Sequence, residues 1–429
     1  MNQSNAKNEF TLEIDSLSYG PYGIGRHEGK AVMIPNTAPG DKVLARIVES
    51  KERYAVGELL GLMESSPMRQ NPPCPYVGEC GGCSWQHLHY EAQLKAKQQS
   101  VEDALRRIGK LDRFELRPII PSVNEYHYRR RIRLHVDSHR RLGFYHASSH
   151  RLVEIDSCLI AVNPVNEFIV ALRNWVRQIR TALEYLEIIS GDRPEEMALV
   201  AKSNGEFFSN DEIVCRRLLE EKPRIRGLIL TGHDGRRTWG ETRISVFTEE
   251  DVCLRVEADV FTQINPEGNR KILSELLAAG NFAGGDRVLE LYCGPGNFTV
   301  SIAKRVREIV AVEGYRPSIA SGKHSAQLNG IGNIHWIRGR VPATVERLRN
   351  RREKFSKIIL DPPRAGAKGM ERDLGSFDAK TILYVSCNPT TLARDLSALT
   401  KHGYKLTLVQ PIDLFPHTFH VETLAVMTQ

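Results

Sequence analysis

A chain of 429 residues is too long for one compact barrel or sandwich, since domains run to roughly 150 residues each. Its 41% apolar and 26% charged residues exclude wholesale disorder. No apolar stretch approaches the ~18 residues of a membrane helix, so no membrane association and a cytoplasmic location are expected. The formal charge of +7, from 59 Lys plus Arg against 52 Asp plus Glu, is local. Residues 1–60 carry seven basic and eight acidic side chains, whereas residues 86–180 carry 17 and 10.

Residues 8–60 alternate apolar and polar positions between glycine-rich turns, which predicts a small OB-like β-barrel over 1–64. Barrels of this kind commonly bind nucleic acid, although one that serves only as a packing module reads the same way. A Pro-rich connector near 65–73 then leads to Cys74, Cys80 and Cys83, with Cys158 far downstream. Eight unevenly spaced cysteines do not make a disulfide scaffold. Four thiolates suit either structural zinc or an iron–sulfur cluster. Three ligands in one loop and one distant depart from the paired knuckles of zinc sites and favour a 4Fe–4S cluster.

Residues 89–109 have helical spacing, and 116–265 mix strand-like and helical runs, so 65–265 is expected to form a mixed α/β middle domain. It carries the basic surplus, densest where Arg129, Arg130, Arg131 and Arg133 alternate with Tyr126, His127 and Tyr128. Guanidinium groups interleaved with rings suit single-stranded or looped RNA, whose phosphates pair and whose bases stack. The plainer reading is a solvated strand face with local ion pairs.

From about 283 onward, apolar strands at 287–292, 308–312, 334–337, 357–360, 381–385 and 404–409 alternate with helical segments. The chain ends in an apolar strand at 421–427. This predicts a doubly wound α/β sheet over 266–429, with ligands at the carboxyl ends of its strands. The loop Cys293-Gly294-Pro295-Gly296-Asn297 follows the first strand, and Glu313 ends the second, where its carboxylate can accept from two ribose hydroxyls. The absence of a third glycine and of a Gly-Lys-Ser/Thr loop disfavours NAD and ATP, and S-adenosylmethionine fits best. Asp361 ends the fourth strand at the same rim.

Cys387 follows the fifth strand and precedes a helix, whose dipole is expected to lower the thiol's pKa. Glu422 lies in the last apolar strand, where a charge is costly without a task. A methyl donor, a thiol and a carboxylate match methylation at carbon 5 of uracil. Thiolate addition at carbon 6 creates the nucleophilic enolate, and a base then removes the carbon 5 proton.

The chain resembles the RNA (uracil-5-)-methyltransferases at Phe261-Thr-Gln263-Ile-Asn265, Leu291-Tyr292-Cys-Gly-Pro-Gly-Asn297, Asp361-Pro-Pro-Arg364, Ser386-Cys387-Asn-Pro-Thr-Thr-Leu-Ala-Arg394 and His420-Val-Glu422-Thr. The resemblance implies that Cys387 is the nucleophile and Glu422 the proton acceptor. It assigns the cofactor to Gln263, Tyr292, Asn297, Glu313 and Asp361, with Arg340 where relatives often have Asn. The ribosomal-RNA branch shares the cysteine spacing and an N-terminal TRAM barrel, both typically absent from the tRNA branch. The implied enzyme is a monomeric 23S ribosomal RNA methyltransferase with S-adenosylmethionine and a 4Fe–4S cluster on Cys74, Cys80, Cys83 and Cys158. The alternatives are the same chemistry on tRNA, a non-catalytic iron–sulfur RNA-binding protein, and a small-molecule methyltransferase that leaves the basic region unexplained.

Overall fold

The computed structural model describes residues 9–193 and 195–429, so the first eight positions of the expected barrel lie outside the described residues. Strands β1 (Glu9–Leu17), β2 (Tyr22–His27), β3 (Lys30–Pro35), β4 (Lys42–Ser50) and β5 (Tyr54–Glu64) close into a barrel in the order β1-β2-β3-β5-β4. Every second residue points inward, so Leu12, Ile14, Val32, Ile34, Val43, Ala45 and Ala55 fill the core. A bulge in β1 brings Gly25 so near the Glu13 carbonyl that a Cβ would stand 2.3 Å from its oxygen.

The helix Tyr90–Asp103 and the π-helical turn Ala104–Ile108 follow the cysteine loop. Their Val101, Ala104 and Leu105 are buried in the core beneath the last sheet of the chain. Strand β6 (Glu115–Leu116) then joins the edge of that sheet. Part of the segment expected to belong to a middle domain is therefore built into the catalytic sheet, where Val101, Ala104 and Leu105 are buried, while Ala96 of the same helix packs beside Trp85 and Leu88.

The middle sheet contains β7 (Arg131–Val136), β8 (Leu142–Tyr145), β9 (Leu152–Glu154), β10 (Leu183–Ser190), β11 (Met197–Ser203), β12 (Ile225–Gly232) and β13 (Gly235–Gly240), ordered β13-β12-β11-β10-β7-β8-β9. Helices Ile169–Gln178 and Asp211–Glu221 cover one face through Leu172, Trp175, Val176, Cys215 and Leu218. The hairpin β14 (Arg243–Glu249) and β15 (Val252–Glu257) packs on Ile189, Ala198, Val200 and Ile229 of the opposite face.

The arginine run does not form the open phosphate grip that its composition suggests. Arg130 is 2% exposed and its Nη2 meets Asp192 at 2.8 Å. Arg131 turns inward and donates to the carbonyls of Val260 and Ala258. Arg133 is half exposed but pairs with Glu187 at 2.8 Å and lies over the Tyr185 ring. Strand alternation places Arg131 and Arg133 on the opposite face from Ile132 and Leu134, and the single carboxylate of Glu187 on neighbouring β10 pairs with both.

The last sheet contains β16 (Arg287–Leu291), β17 (Glu308–Glu313), β18 (Ile334–Arg338), β19 (Lys357–Leu360), β20 (Thr381–Ser386), β21 (Lys405–Ile412) and β22 (Glu422–Thr428). Their order is β18-β17-β16-β19-β20-β22-β21-β6, and β22 runs antiparallel between β20 and β21. Helices Pro266–Gly280 and Thr299–Ala303 bury Ile272, Leu276 and Ile302 on one face. Helices Val341–Asn350 and Pro389–Thr400 bury Val345, Leu348, Leu392 and Leu396 on the other. This is the doubly wound arrangement expected from the strand pattern. Its order reverses between β16 and β19, which opens a crevice at their carboxyl ends. Among the described residues, no helix is long and apolar enough to cross a membrane.

Candidate active site

The crevice is part of one cavity of about 1380 Å³, bounded by the barrel, the cysteine loop and the last sheet. The turn after β16 opens it. Tyr292 takes a left-handed backbone (φ +64°) and Gly294 and Gly296 follow at φ +55° and +93°, so the chain leaves the strand sharply and presents its backbone to the cavity. Glu313 pins this loop, because one carboxylate oxygen accepts from Gly294 N at 3.2 Å and the other from Tyr315 N at 2.7 Å. Asn297 is held by Asn269 through two reciprocal amide hydrogen bonds of 2.8 Å. Beneath the loop, burial pushes the Glu290 carboxyl up to about 8.

Gln263, Tyr292, Asn297, Glu313 and Asp361 all line the cavity. Arg340 does not. It is exposed at the start of the helix Val341–Asn350, and its carbonyl accepts from Thr344 N.

Cys387 and Glu422 also line the cavity. The antiparallel register that pairs Ser386 with Thr423 sets Cys387 opposite Glu422, at the ends of adjacent strands. Asn388 caps the following helix by accepting from Thr390 N at 3.0 Å. Despite that helix, the Cys387 thiol is pushed up to about 11, first by burial and then by Glu422, with Asp361 adding and Arg364 opposing. The expected lowering is therefore overturned: the helix N-terminus faces a site that desolvation and two acids make hostile to a thiolate. Burial, with Asp361 nearby, also holds Glu422 well above the usual carboxyl range, and burial alone pushes Asp361 up to about 7. Three acidic groups in one desolvated corner resist carrying three charges at once.

The segment before Glu422 is held from below. Lys97, fully buried, meets Asp413 at 2.6 Å and donates to the Phe415 carbonyl at 2.9 Å, while Tyr90 Oη donates to the other Asp413 oxygen at 2.9 Å. Gln93 accepts from His417 N at 2.8 Å, and Trp85 N donates to the His417 carbonyl at 2.9 Å. His420 is pushed down to about 4 by burial and by Arg364, so its neutral Nε2 faces Arg364 Nη2 at 3.3 Å as an acceptor.

Phe261, 65% exposed, stands two residues before Gln263 in the cavity wall, and Arg129 is the one member of the arginine run that lines the cavity. Tyr19 was not singled out from the sequence. It reaches from the barrel, and its hydroxyl donates to the Cys387 carbonyl at 2.7 Å. No local pattern could have placed it 368 residues away in sequence from its partner.

Cys80 and Cys83 border the same cavity. Burial pushes their thiols up to about 11 and about 12, and Cys74 and Cys158 both add to each shift, so the four thiols sit within electrostatic reach of one another. Gly82 N points at Cys80 Sγ from 3.4 Å. Among the described residues, no group of three or more His, Cys, Asp or Glu side chains is drawn together tightly enough to hold a single metal ion.

Comparison with known proteins agrees with this geometry. Residues 239–429 match the family model described as tRNA (Uracil-5-)-methyltransferase, and residues 6–60 match the TRAM domain. The 23S rRNA (uracil(1939)-C(5))-methyltransferase RlmD of Aeromonas salmonicida is 33% identical, covering 98% of this chain and 96% of that one. The chain belongs to the RNA (uracil-5-)-methyltransferase family. An RNA methyltransferase of Synechocystis sp. is 32% identical over 97% of this chain and 95% of its own length. The tRNA (uracil-54, C5)-methyltransferase of Pyrococcus abyssi, solved with S-adenosyl-L-homocysteine, shares the fold at a TM-score of 0.74 and 23% identity, covering 98% of this chain and 100% of that one. As a member of this family, the protein is an S-adenosylmethionine-dependent RNA methyltransferase acting at carbon 5 of uracil. Its barrel is a TRAM domain.

Proposed function

We propose that this RNA methyltransferase modifies a uridine of 23S ribosomal RNA, with Cys387 as nucleophile and Glu422 as proton acceptor. The observation that carries the mechanism is that Cys387 and Glu422 stand at the ends of the adjacent strands β20 and β22, line the same cavity, and lie near enough for Glu422 to raise the thiol's pKa. The ribosomal substrate rests on the relatives named RlmD together with the TRAM barrel and the four cysteines. The tRNA enzyme of Pyrococcus abyssi shares only the fold at this level of identity.

S-adenosylmethionine supplies an electrophilic methyl group. Gln263, Tyr292, Asn297, Glu313 and Asp361 would hold it, with the glycine turn giving its backbone close approach. A uridine turned out of its stack presents carbon 6 to Cys387, at a cost of roughly a few kcal/mol that stacking and phosphate contacts offset. The resting thiol is neutral, so it gives its proton to a carboxylate as the sulfur–carbon 6 bond forms and the electron pair moves onto the carbon 4 oxygen. Carbon 5 then takes the methyl group. Glu422, ionised for this step and distinct from the carboxylate that took the thiol proton, removes the carbon 5 proton. The sulfur–carbon 6 bond breaks, the ring regains its double bond, and the departing sulfur takes its proton back from that first carboxylate. One proton passes to solvent per turnover.

Incubating the protein with RNA that contains 5-fluorouridine tests this reading, because fluorine at carbon 5 cannot leave as a proton. The expected result is a stable protein–RNA adduct that requires S-adenosylmethionine and is absent in Cys387→Ala. An adduct undiminished in that variant would place the nucleophile elsewhere.

Cys74, Cys80, Cys83 and Cys158 would hold a 4Fe–4S cluster. What supports this reading is the cysteine spacing, the electrostatic influence of Cys74 and Cys158 on Cys80 and Cys83, and a backbone N–H directed at Cys80 Sγ. It would supply a structural brace for the loop that ends at Trp85. Anaerobically prepared protein is expected to contain iron and acid-labile sulfide in equal amounts. Zinc without sulfide would refute the cluster. We further propose a monomer working in the cytoplasm, divided into barrel 1–64, middle region 65–265 and catalytic region 266–429, with the strap at Tyr90–Asp103 and β6 crossing that division.

A further inference from the structure

We propose that Tyr19, in the turn between β1 and β2 of the barrel, is a positioning residue for the nucleophile. Its hydroxyl orients the Cys387 peptide and so ties the barrel to the rate of covalent addition. The inference rests on Cys387 being the nucleophile.

The turn is rigid in itself. Ser18 N and Ser18 Oγ both donate to the Tyr22 carbonyl, at 2.9 and 3.1 Å, and Gly20 N donates to the Ser18 carbonyl at 2.8 Å. Tyr19 projects from this turn into the catalytic region, where its ring packs against the core beneath the last sheet. Its hydroxyl donates to the Cys387 carbonyl at 2.7 Å, and its ring meets that of Phe419 edge-on, with centroids 5.6 Å apart. Phe419 lies three residues before Glu422. One barrel side chain thus touches the backbone of the nucleophile and the segment that delivers the base.

Burial, with Cys387 and Glu422 nearby, raises the pKa of Tyr19 further, so the hydroxyl stays protonated and remains a donor wherever the enzyme works. The wall of the same barrel, through Tyr22, Asn36, Val48 and Leu59, borders the cavity that leads to Cys387. A polynucleotide pressed against that wall bears on the turn that carries Tyr19. Sulfur addition to carbon 6 demands a near-attack geometry, and a small displacement of the cysteine backbone is costly in rate.

The test compares wild type, Tyr19→Phe, Tyr54→Phe and Cys387→Ala, measuring RNA affinity, the rate of 5-fluorouridine adduct formation at saturating RNA, and the melting temperature. Tyr19→Phe keeps the ring contact with Phe419 and loses only the hydroxyl. It is expected to slow adduct formation and kcat about tenfold, with RNA affinity unchanged within about twofold. Tyr54→Phe, an exposed barrel position at the start of β5 that does not border the cavity, is expected to leave the rate at saturation unaltered. An unchanged rate in Tyr19→Phe, an effect on affinity alone, or equal slowing in Tyr54→Phe overturns the proposal. A melting curve for each variant sets an assay temperature at which all are folded. A wild-type adduct retained in Cys387→Ala would instead remove the nucleophile assignment on which the inference stands.

Discussion

Cys387 shows at the scale of one residue how burial outweighs a favourable dipole. A helix start lies immediately behind it, yet the thiol is pushed up to about 11 by desolvation and by Glu422. Thiolate is the reactive species, so carboxamidomethylation of Cys387 in substrate-free enzyme is expected to rise about tenfold per pH unit from neutrality to about pH 9. The sign follows from the direction of the shift: a raised pKa keeps the reactive form scarce throughout that range. A rate that levels off near neutrality would show a thiolate already present. Position after a strand and before a helix was legible from Ser386 to Arg394, as was the cysteine itself. The groups that set its protonation come from Glu422, Asp361 and Arg364, whose proximity depends on strand order and not on local pattern.

At the scale of elements, the segment between β21 and β22 matters most, because it bears Phe415, His417, Phe419 and His420 and ends at Glu422. It has no regular ladder of its own. Its conformation is imposed by the helix Tyr90–Asp103 through Lys97, Gln93 and Tyr90. Truncating Lys97 to Ala leaves the fully buried Asp413 carboxylate without its counter-charge and is expected to cost about 3–5 kcal/mol, read from urea unfolding. The loss should be smaller in Lys97→Met/Asp413→Asn, where neither charge remains. Equal destabilisation in the two variants would mean that packing, and not the ion pair, holds the segment. The helix was evident from its spacing at 89–109. Its partner was not, since a lysine in an amphipathic pattern ordinarily points to solvent, and only the sheet's last strands show why this one does not.

Across the whole molecule, the +7 charge reads differently in the structure than along the chain. Of the run from Arg129 to Arg133, Arg130 and Arg131 serve as internal fasteners, Arg133 is paired with Glu187, and Arg129 alone borders the cavity. Arg129→Ala is expected to weaken RNA binding and reduce the slope of log affinity against log salt by about one. Arg130→Ala should lower the melting temperature with that slope retained. Identical salt slopes in wild type and Arg129→Ala would remove Arg129 from the RNA path. Clustered charge drew attention to the segment, but alternation along β7 and the acid on β10 decide how its guanidinium groups are used. The doubly wound sheet was the most legible part, because six strands of near-continuous apolar residues carry their own period. The crossing of Tyr90–Asp103 and β6 into that sheet left no such mark.

That crossing sets the order in which the chain can complete itself during synthesis. Lys97 precedes its counter-charge Asp413 by 316 residues. At a ribosomal pace of about 5–20 residues per second, the helix waits on the order of tens of seconds before its partner is made. During that interval Val101 and Leu105 have no sheet to cover them, while the barrel and the middle sheet already have their own strands. The catalytic half is therefore the slow and vulnerable part of biogenesis, and a chaperone that shields the nascent strap would raise the yield of active enzyme without touching its chemistry.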